Sequence, residues 1–245
     1  MTFIKYLGIG VKKSYKLCKY LSCKPLQTED LGKTLEMSIC SLYNIPFVGI
    51  FKYNLTEAKK LTCRIKKLLN VFPYKLEHTA KNGSPFDFTC VDNPHITLSA
   101  KTTKKSGKVC PQVNGQPSKK TFCQYFGLEN NSTIDYIKEY IENNVSLMLY
   151  KYFENTFDQP IVYYNEKRDF ALFVRNCSDI DWLIHNIEFS HKQKYKKWIE
   201  STTIRINGTS IGEFQIHKNR DNIKFRWYFE NVLEKFSTHF VIVKL

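Results

Sequence analysis

Pro85-Phe-Asp-Phe-Thr-Cys-Val-Asp-Asn-Pro-His-Ile-Thr-Leu-Ser-Ala-Lys-Thr102 alternates apolar and polar residues on both sides of the turn formers Asp92-Asn93-Pro94. That pattern predicts a β-hairpin. Phe86, Phe88 and Cys90 share one face of the first strand, and Ile96, Leu98, Ala100 and Thr102 share one face of the second, because side chains alternate along a strand. Both apolar sets face one core when Phe88 pairs with Ala100 and Cys90 with Leu98. Asp87 then falls opposite Lys101, with Thr89 and Ser99 on the same polar face. A carboxylate and an ammonium so placed can bind a metal ion and act on water. Asp87, the main-chain carbonyl of Ala100 and a substrate phosphate form a partial shell for Mg2+, which favours oxygen ligands and retains waters. Lys101 is then placed to orient or deprotonate the attacking water. The same pair also reads as a structural cross-strand ion pair, worth roughly 0.2–1 kcal/mol.

On either side of the hairpin the chain is basic. Its 245 residues carry 37 Lys and Arg against 23 Asp and Glu, a formal charge of +14. Such an excess attracts polyanions, with nucleic acid as the leading partner, although it also fits a solvated lysine-rich surface. The eight cysteines include no C-x-x-C pair, which points to reduced thiols rather than a zinc site. No apolar run approaches the roughly 20 residues that cross a bilayer, so a cytoplasmic, membrane-free protein is expected.

A helix is expected after Thr28, with Leu31, Leu35, Ile39 and Leu42 as its apolar stripe. A second starts at a Thr56-Glu57 cap and turns Leu61, Ile65, Leu68 and Leu69 inward. A third runs from the Ser132/Thr133 cap through Ile134, Ile137, Ile141 and Val145 towards Phe153. Strands follow at 161–164, 170–174, 203–206, 211–217 and 223–227, then a short helix near 230–236. The uneven alternation suggests an α/β fold, or α+β, with a mixed central sheet flanked by helices. One domain over 1–245 is expected, with a catalytic core at about 28–126 and a DNA-contacting hairpin at about 202–230.

Pro85-x-Asp87, eleven residues, then Ser99-Ala-Lys101 resembles the motif of the PD-(D/E)xK nuclease superfamily. The helical Gly32-Lys33-Thr34-Leu35-Glu36 resembles the helix that carries an early Glu in its type II restriction endonucleases. The resemblance implies a restriction-endonuclease-like core and Mg2+-dependent cleavage of duplex DNA at a short recognition sequence. It assigns Asp87 to the metal and Lys101 to the water, with Glu36 often completing the site. It also implies a partner DNA methyltransferase and, in some relatives, a homodimer. Ser99 departs from the pattern, because it replaces the second acidic residue. Glu36 is therefore the best candidate for the missing carboxylate; it shares a helix face with Gly32 and Cys40, beside the Leu35/Ile39 stripe. A non-catalytic DNA-binding protein and a repair nuclease are the rival readings.

After Lys101 come Lys104, Lys105, Lys108, Lys119 and Lys120, suited to phosphates, with Gln112, Asn114 and Gln116 suited to base edges. This segment also reads as a charged surface loop. The stretch Ser210 to Trp227 alternates about an Asn219-Arg220-Asp221-Asn222 turn, and resembles basic C-terminal hairpins of small restriction endonucleases. Gln215, His217, Arg220, Lys224 and Arg226 are its candidate DNA contacts, and Glu213-Phe-Gln215 is a weaker, degenerate E-x-Q half-motif. His191 to Trp198, basic with interleaved aromatics, is a further backbone-contact candidate.

Overall fold

A computed structural model describes residues 28–48, 54–80, 86–104, 107–193, 197–217 and 220–245. Pro85, Lys105, Asn219 and part of the His191–Trp198 cluster lie outside the described residues.

The first helix, α1 (Thr28–Tyr43), buries Leu31, Leu35 and Ile39, as its stripe predicts. The second, α2 (Leu55–Arg64), is capped by Asn54 rather than Thr56, for the Asn54 side chain accepts from the Glu57 amide. Asn and Thr both cap well, and local sequence does not separate candidates two residues apart. After it Ile65 and Leu68 are buried, whereas Leu69 is 41% exposed; only one of the two adjacent leucines faces the core. Next come β1 (Leu76–His78), β2 (Phe88–Cys90), β3 (Thr97–Thr103) and β4 (Lys108–Val109). Then α3 (Lys119–Phe126), α4 (Ile134–Asn143) and α5 (Val145–Phe157) follow.

Thr133 caps α4 by accepting from the Tyr136 amide. The single long helix expected here divides at Asn144, where φ −120° leaves the helical range. Thr133→Ala is expected to cost ~1 kcal/mol, read from the urea midpoint; an unchanged midpoint contradicts the cap.

The chain continues through β5 (Ile161–Asn165), β6 (Phe170–Asn176), β7 (Ile187–Phe189), β8 (Ser201–Ile206), β9 (Thr209–Ile216) and β10 (Ile223–Tyr228). It closes with α6 (Phe229–Lys235) and β11 (Phe240–Lys244). Among the described residues these strands make two sheets, in orders β1-β2-β3-β5-β6-β11 and β4-β10-β9-β8-β7.

In the first sheet β3 and β5 are parallel and their neighbours antiparallel. This is the mixed sheet of an α/β fold. A parallel pair needs a long crossover, and here β4 and three helices supply it. Residues alternate between two cores. Leu98, Val162 and Tyr164 pack with Leu35, Ile39 and Leu61 from α1 and α2. Ile161 and Tyr163 face the other way, onto α5, α6 and the second sheet.

Helix α5 lies between the sheets, so it is apolar on more than one side. Tyr152 stacks on Phe225 at 4.3 Å and Phe157 on Phe229 at 5.4 Å. The expected C-terminal hairpin is therefore not an isolated arm. Its strands β9 and β10 sit inside a five-stranded sheet, flanked by β8 and β4. Strands β1, β4, β7 and β11 carry no clear alternation, because each is only two to five residues long.

Candidate active site

The hairpin of β2 and β3 forms, with a register two residues away from the expected one: Phe88 pairs with Leu98 and Thr89 with Thr97. A shift of two keeps every side chain on its face, so hydrophobicity does not choose between the registers. The turn does. Ile96 N–H donates to the Asn93 carbonyl at 3.0 Å, His95 N–H donates to Asn93 Oδ1, and Cys90 N–H donates to the Ile96 carbonyl. Asp87 is thus brought towards Ser99 rather than directly opposite Lys101.

That register also opens the sheet. Hydrogen-bonded pairs alternate in an antiparallel ladder, so after Cys90/Ile96 and Phe88/Leu98 the next bonded pair would be Phe86/Ala100. Instead the Ala100 amide donates to Asp87 Oδ2 at 2.8 Å, and the Asp87 carbonyl accepts from Thr79 on the β1 side. The strands fork here, and a carboxylate fills the ladder position. Within an extended strand a residue's N–H and C=O leave by the same edge, so the Ala100 carbonyl also faces the fork.

Glu36 approaches from α1 and is only 4% exposed. The Lys33 ammonium bridges its two oxygens at 2.9 and 3.0 Å, and His78 Nε2 lies 3.0 Å from Oε2. The Val48 amide donates to His78 Nδ1, so Nε2 carries the proton and donates to Glu36. His78 is itself packed against Phe47 and Phe88. No local signal in the sequence singles out this histidine, because its partner is 42 residues away.

The charges of this cluster act on one another. Burial pushes the Asp87 carboxyl above its usual range, Lys101 and the Ala100 hydrogen bond counter it, and Glu36 adds to it. Burial likewise pushes the Lys101 ammonium down, against the pull of Asp87, Cys110 and Glu36. A buried base with a lowered pKa sheds its proton more readily, which suits a group that acts on water.

Among the described residues no group of three or more His, Cys, Asp and Glu side chains is placed to hold a metal ion. The donor types present suit a hard cation that keeps much of its water: the Asp87 carboxylate and the Ala100 carbonyl, with Glu36 joining only where the cation takes over oxygens that Lys33 now bridges. Together they are not a closed all-protein cage.

The segment after Lys101 is not a free loop. β4 pairs with β10, and beyond it Phe225 N–H donates to the Gly115 carbonyl, Ile223 N–H to Pro117, and Lys119 N–H to Asp221. The segment is laced along β10, which carries Lys224 and Arg226. Cys110, whose thiol burial raises, feels Lys224, Arg226 and Lys101 together. Lys101, Lys224 and Arg226 thus lie near one another around Cys110.

Individual DNA candidates differ in their surroundings. Lys120, Gln116 and Arg220 are exposed, and Lys104, Asn114, Lys119 and Lys224 are partly so. His217 is paired with Glu200 at 3.1 Å. Gln112 turns inward, and its side-chain N–H donates to Ser99 Oγ.

Lys108, Gln215 and Arg226 all converge on Glu213, as does the Tyr228 hydroxyl. Glu213, expected on the polar face of its strand, is 6% exposed. It is a buried hub joining β4, β9 and β10. Of the basic aromatic cluster, His191 and Lys192 both bond Glu142, and Trp198 is buried.

Burial pushes the Glu213 carboxyl up, but the bonds from Lys108 and Arg226 outweigh it and hold it below the ordinary value. The stability this contributes is present above the unfolded carboxylate range, about pH 4.3, and is lost as pH falls through the lowered value. Glu213→Gln removes the dependence. Between pH 5 and pH 2, roughly the window set by those values, the wild-type urea midpoint is expected to fall more steeply than that of the variant; equal slopes count against the hub.

The chain is 44% identical over 221 residues to the type II restriction enzyme CviAII of Paramecium bursaria Chlorella virus 1. The match covers 90% of this chain and 64% of that relative, so the chain spans less than two thirds of the curated protein it resembles. No protein-family model matches it, and neither does any solved structure. No helix among the described residues is long and apolar enough to cross a membrane.

Proposed function

We propose that this chain is a type II restriction endonuclease that hydrolyses phosphodiester bonds in duplex DNA at a short recognition sequence, with Mg2+ as cofactor. The observation that carries the reading is the fork between β2 and β3. There the Asp87 carboxylate replaces a ladder bond to Ala100, and Lys101 and Glu36 act on it electrostatically. The similarity to a curated restriction enzyme supports it.

In this reading Asp87, Glu36 and the Ala100 carbonyl would hold the cation, which would supply Lewis-acid activation of water and of the scissile phosphate. Lys101 orients the attacking water and accepts its proton. His78 fixes the orientation of Glu36 through Nε2, and is a positioning residue rather than a catalytic one. Lys104, Lys119, Lys120 and Lys224 neutralise phosphates along the surface that begins at the fork, and Gln116 and Arg220 reach the base edges. The expected setting is a reducing cytoplasm with a methyltransferase of matching specificity to protect host DNA, and a homodimer is one way to cut both strands.

The test is digestion of unmethylated plasmid and genomic DNA with Mg2+ or with EDTA, followed by sequencing of the fragment ends. Discrete Mg2+-dependent fragments sharing one terminal sequence are expected. DNA that is bound yet stays intact would favour a non-catalytic binding protein, and cutting only at ends or lesions would favour a repair nuclease.

A further inference from the structure

The fork holds a carboxylate at Asp87 and another on α1, but at Ser99, the strand position beside Asp87, the hydroxyl brings no charge. Ser99 is fully buried, and continuing the register one step beyond Phe88/Leu98 places it opposite Asp87. What meets its hydroxyl is Gln112. The Gln112 side-chain N–H donates to Ser99 Oγ, while Gln112 Oε1 is buried without a hydrogen-bond partner.

A buried carbonyl oxygen left unpaired is costly and calls for an explanation. The local backbone is built to hold it there. The Gln112 amide is anchored to the Asn155 carbonyl at 3.3 Å. Asn155 Nδ2 also reaches the Val113 carbonyl and the Tyr125 hydroxyl. The chain then folds back so tightly at Gly115 that a Cβ there would lie 2.5 Å from the Pro111 carbonyl oxygen, so the turn depends on glycine. Asn114 takes φ 54°, a conformation Asn tolerates. Two residues before Gln112, Cys110 sits among Lys101, Lys224 and Arg226.

We propose that the Gln112 carboxamide oxygen, oriented by Ser99, is a ligand for the divalent cation held by Asp87, and so replaces the carboxylate absent at residue 99. A neutral amide oxygen beside a carboxylate suits a hard cation. The arrangement leaves the site with one less negative charge than a carboxylate at Ser99 would give, which lessens like-charge repulsion of Asp87 and Glu36. Gln112 is thereby assigned to the reaction centre and not to base reading, its expected role from sequence. This rests on the reading of Asp87 as the cation site.

The experiment is Mn2+ titration of the full chain followed by electron paramagnetic resonance, for wild type, Asp87→Asn, Gln112→Ala and Gln112→Glu, with circular dichroism confirming the fold of each. Wild type is expected to bind Mn2+ saturably and Asp87→Asn to lose the binding. Gln112→Ala is expected to weaken binding by ~10-fold or more, the scale seen when groups around a metal site are removed, and Gln112→Glu to restore it. If Asp87→Asn loses Mn2+ while Gln112→Ala binds like wild type, Gln112 is not a ligand and the Asp87 site stands. If Asp87→Asn binds like wild type, or wild type shows no saturable binding, the Asp87 reading falls and this proposal falls with it.

Discussion

Lys101→Met is expected to slow DNA cleavage by roughly 10²–10⁴-fold, the range for loss of a positioned acid–base group, with DNA binding retained. Methionine keeps much of the side-chain volume and removes the amine, so the loss reports chemistry rather than packing. Asp87→Asn is expected to be at least as inactive, because the amide loses the negative charge proposed to hold a cation and, through its NH2, no longer fully replaces the acceptor facing the Ala100 amide.

The pH dependence follows from the shifts. The Lys101 ammonium lies below its usual range and the Asp87 carboxyl above its own, so activity is expected to be lost on acidification at a higher pH than an ordinary carboxylate would set. For stability the signs are opposite to those of a surface ion pair. A raised carboxyl contributes stability below the unfolded pKa, about 3.9, and loses it as pH rises through the folded value. A lowered ammonium contributes stability only once it is neutral. Near pH 7 both charged forms are therefore held at a cost, partly offset by each other. The double variant Asp87→Asn/Lys101→Met should melt at or above the wild-type temperature without added metal, while cutting nothing. Replacing a buried charged pair with neutral groups is often neutral or stabilising. Plasmid digestion with Mg2+ and a thermal melt in EDTA check both halves. A Lys101→Met enzyme that cuts at the wild-type rate removes Lys101 from the chemistry, and a double variant that melts well below wild type makes the pair structural.

Trp227→Ala carries the largest expected cost to folding, about 3–5 kcal/mol. Trp227 is fully buried on β10. Its indole N–H donates to Thr156 Oγ1 at 2.9 Å, its ring stacks on Trp182, and its edge meets Phe225 at 4.8 Å. It thus joins the second sheet to α5, whose Tyr152 and Phe157 pack against both sheets' side of the core. Truncation leaves a large cavity among rigid aromatics that have little room to collapse, and leaves Thr156 Oγ1 without its indole donor. Leu183→Ala, at a leucine 83% exposed, is the control, with an expected change within about 0.5 kcal/mol. Urea unfolding of the two variants decides it. Similar midpoints would mean that the two sheets are not joined through Trp227.

The Asp87–Lys101 hairpin, α1 with Glu36, the Thr133 cap and the strands at β5, β6, β9 and β10 were legible in the sequence, because each is set by local periodicity, capping or turn chemistry. Those rules act over a few residues. Sequence also identified Ser99 as the departure from the nuclease pattern and the basic composition as a sign of a polyanionic partner. The hairpin register was decided by the geometry of the Asn93 turn, which hydrophobic alternation does not reveal, since two registers two residues apart present the same faces. The tertiary structure alone paired Glu36 with His78 across 42 residues and gathered Lys108, Gln215 and Arg226 onto Glu213. It alone turned Gln112 from a supposed surface loop onto Ser99. Each of these depends on which distant strands meet, and in a fold whose central strands pair in parallel across a long crossover, no local pattern specifies that meeting.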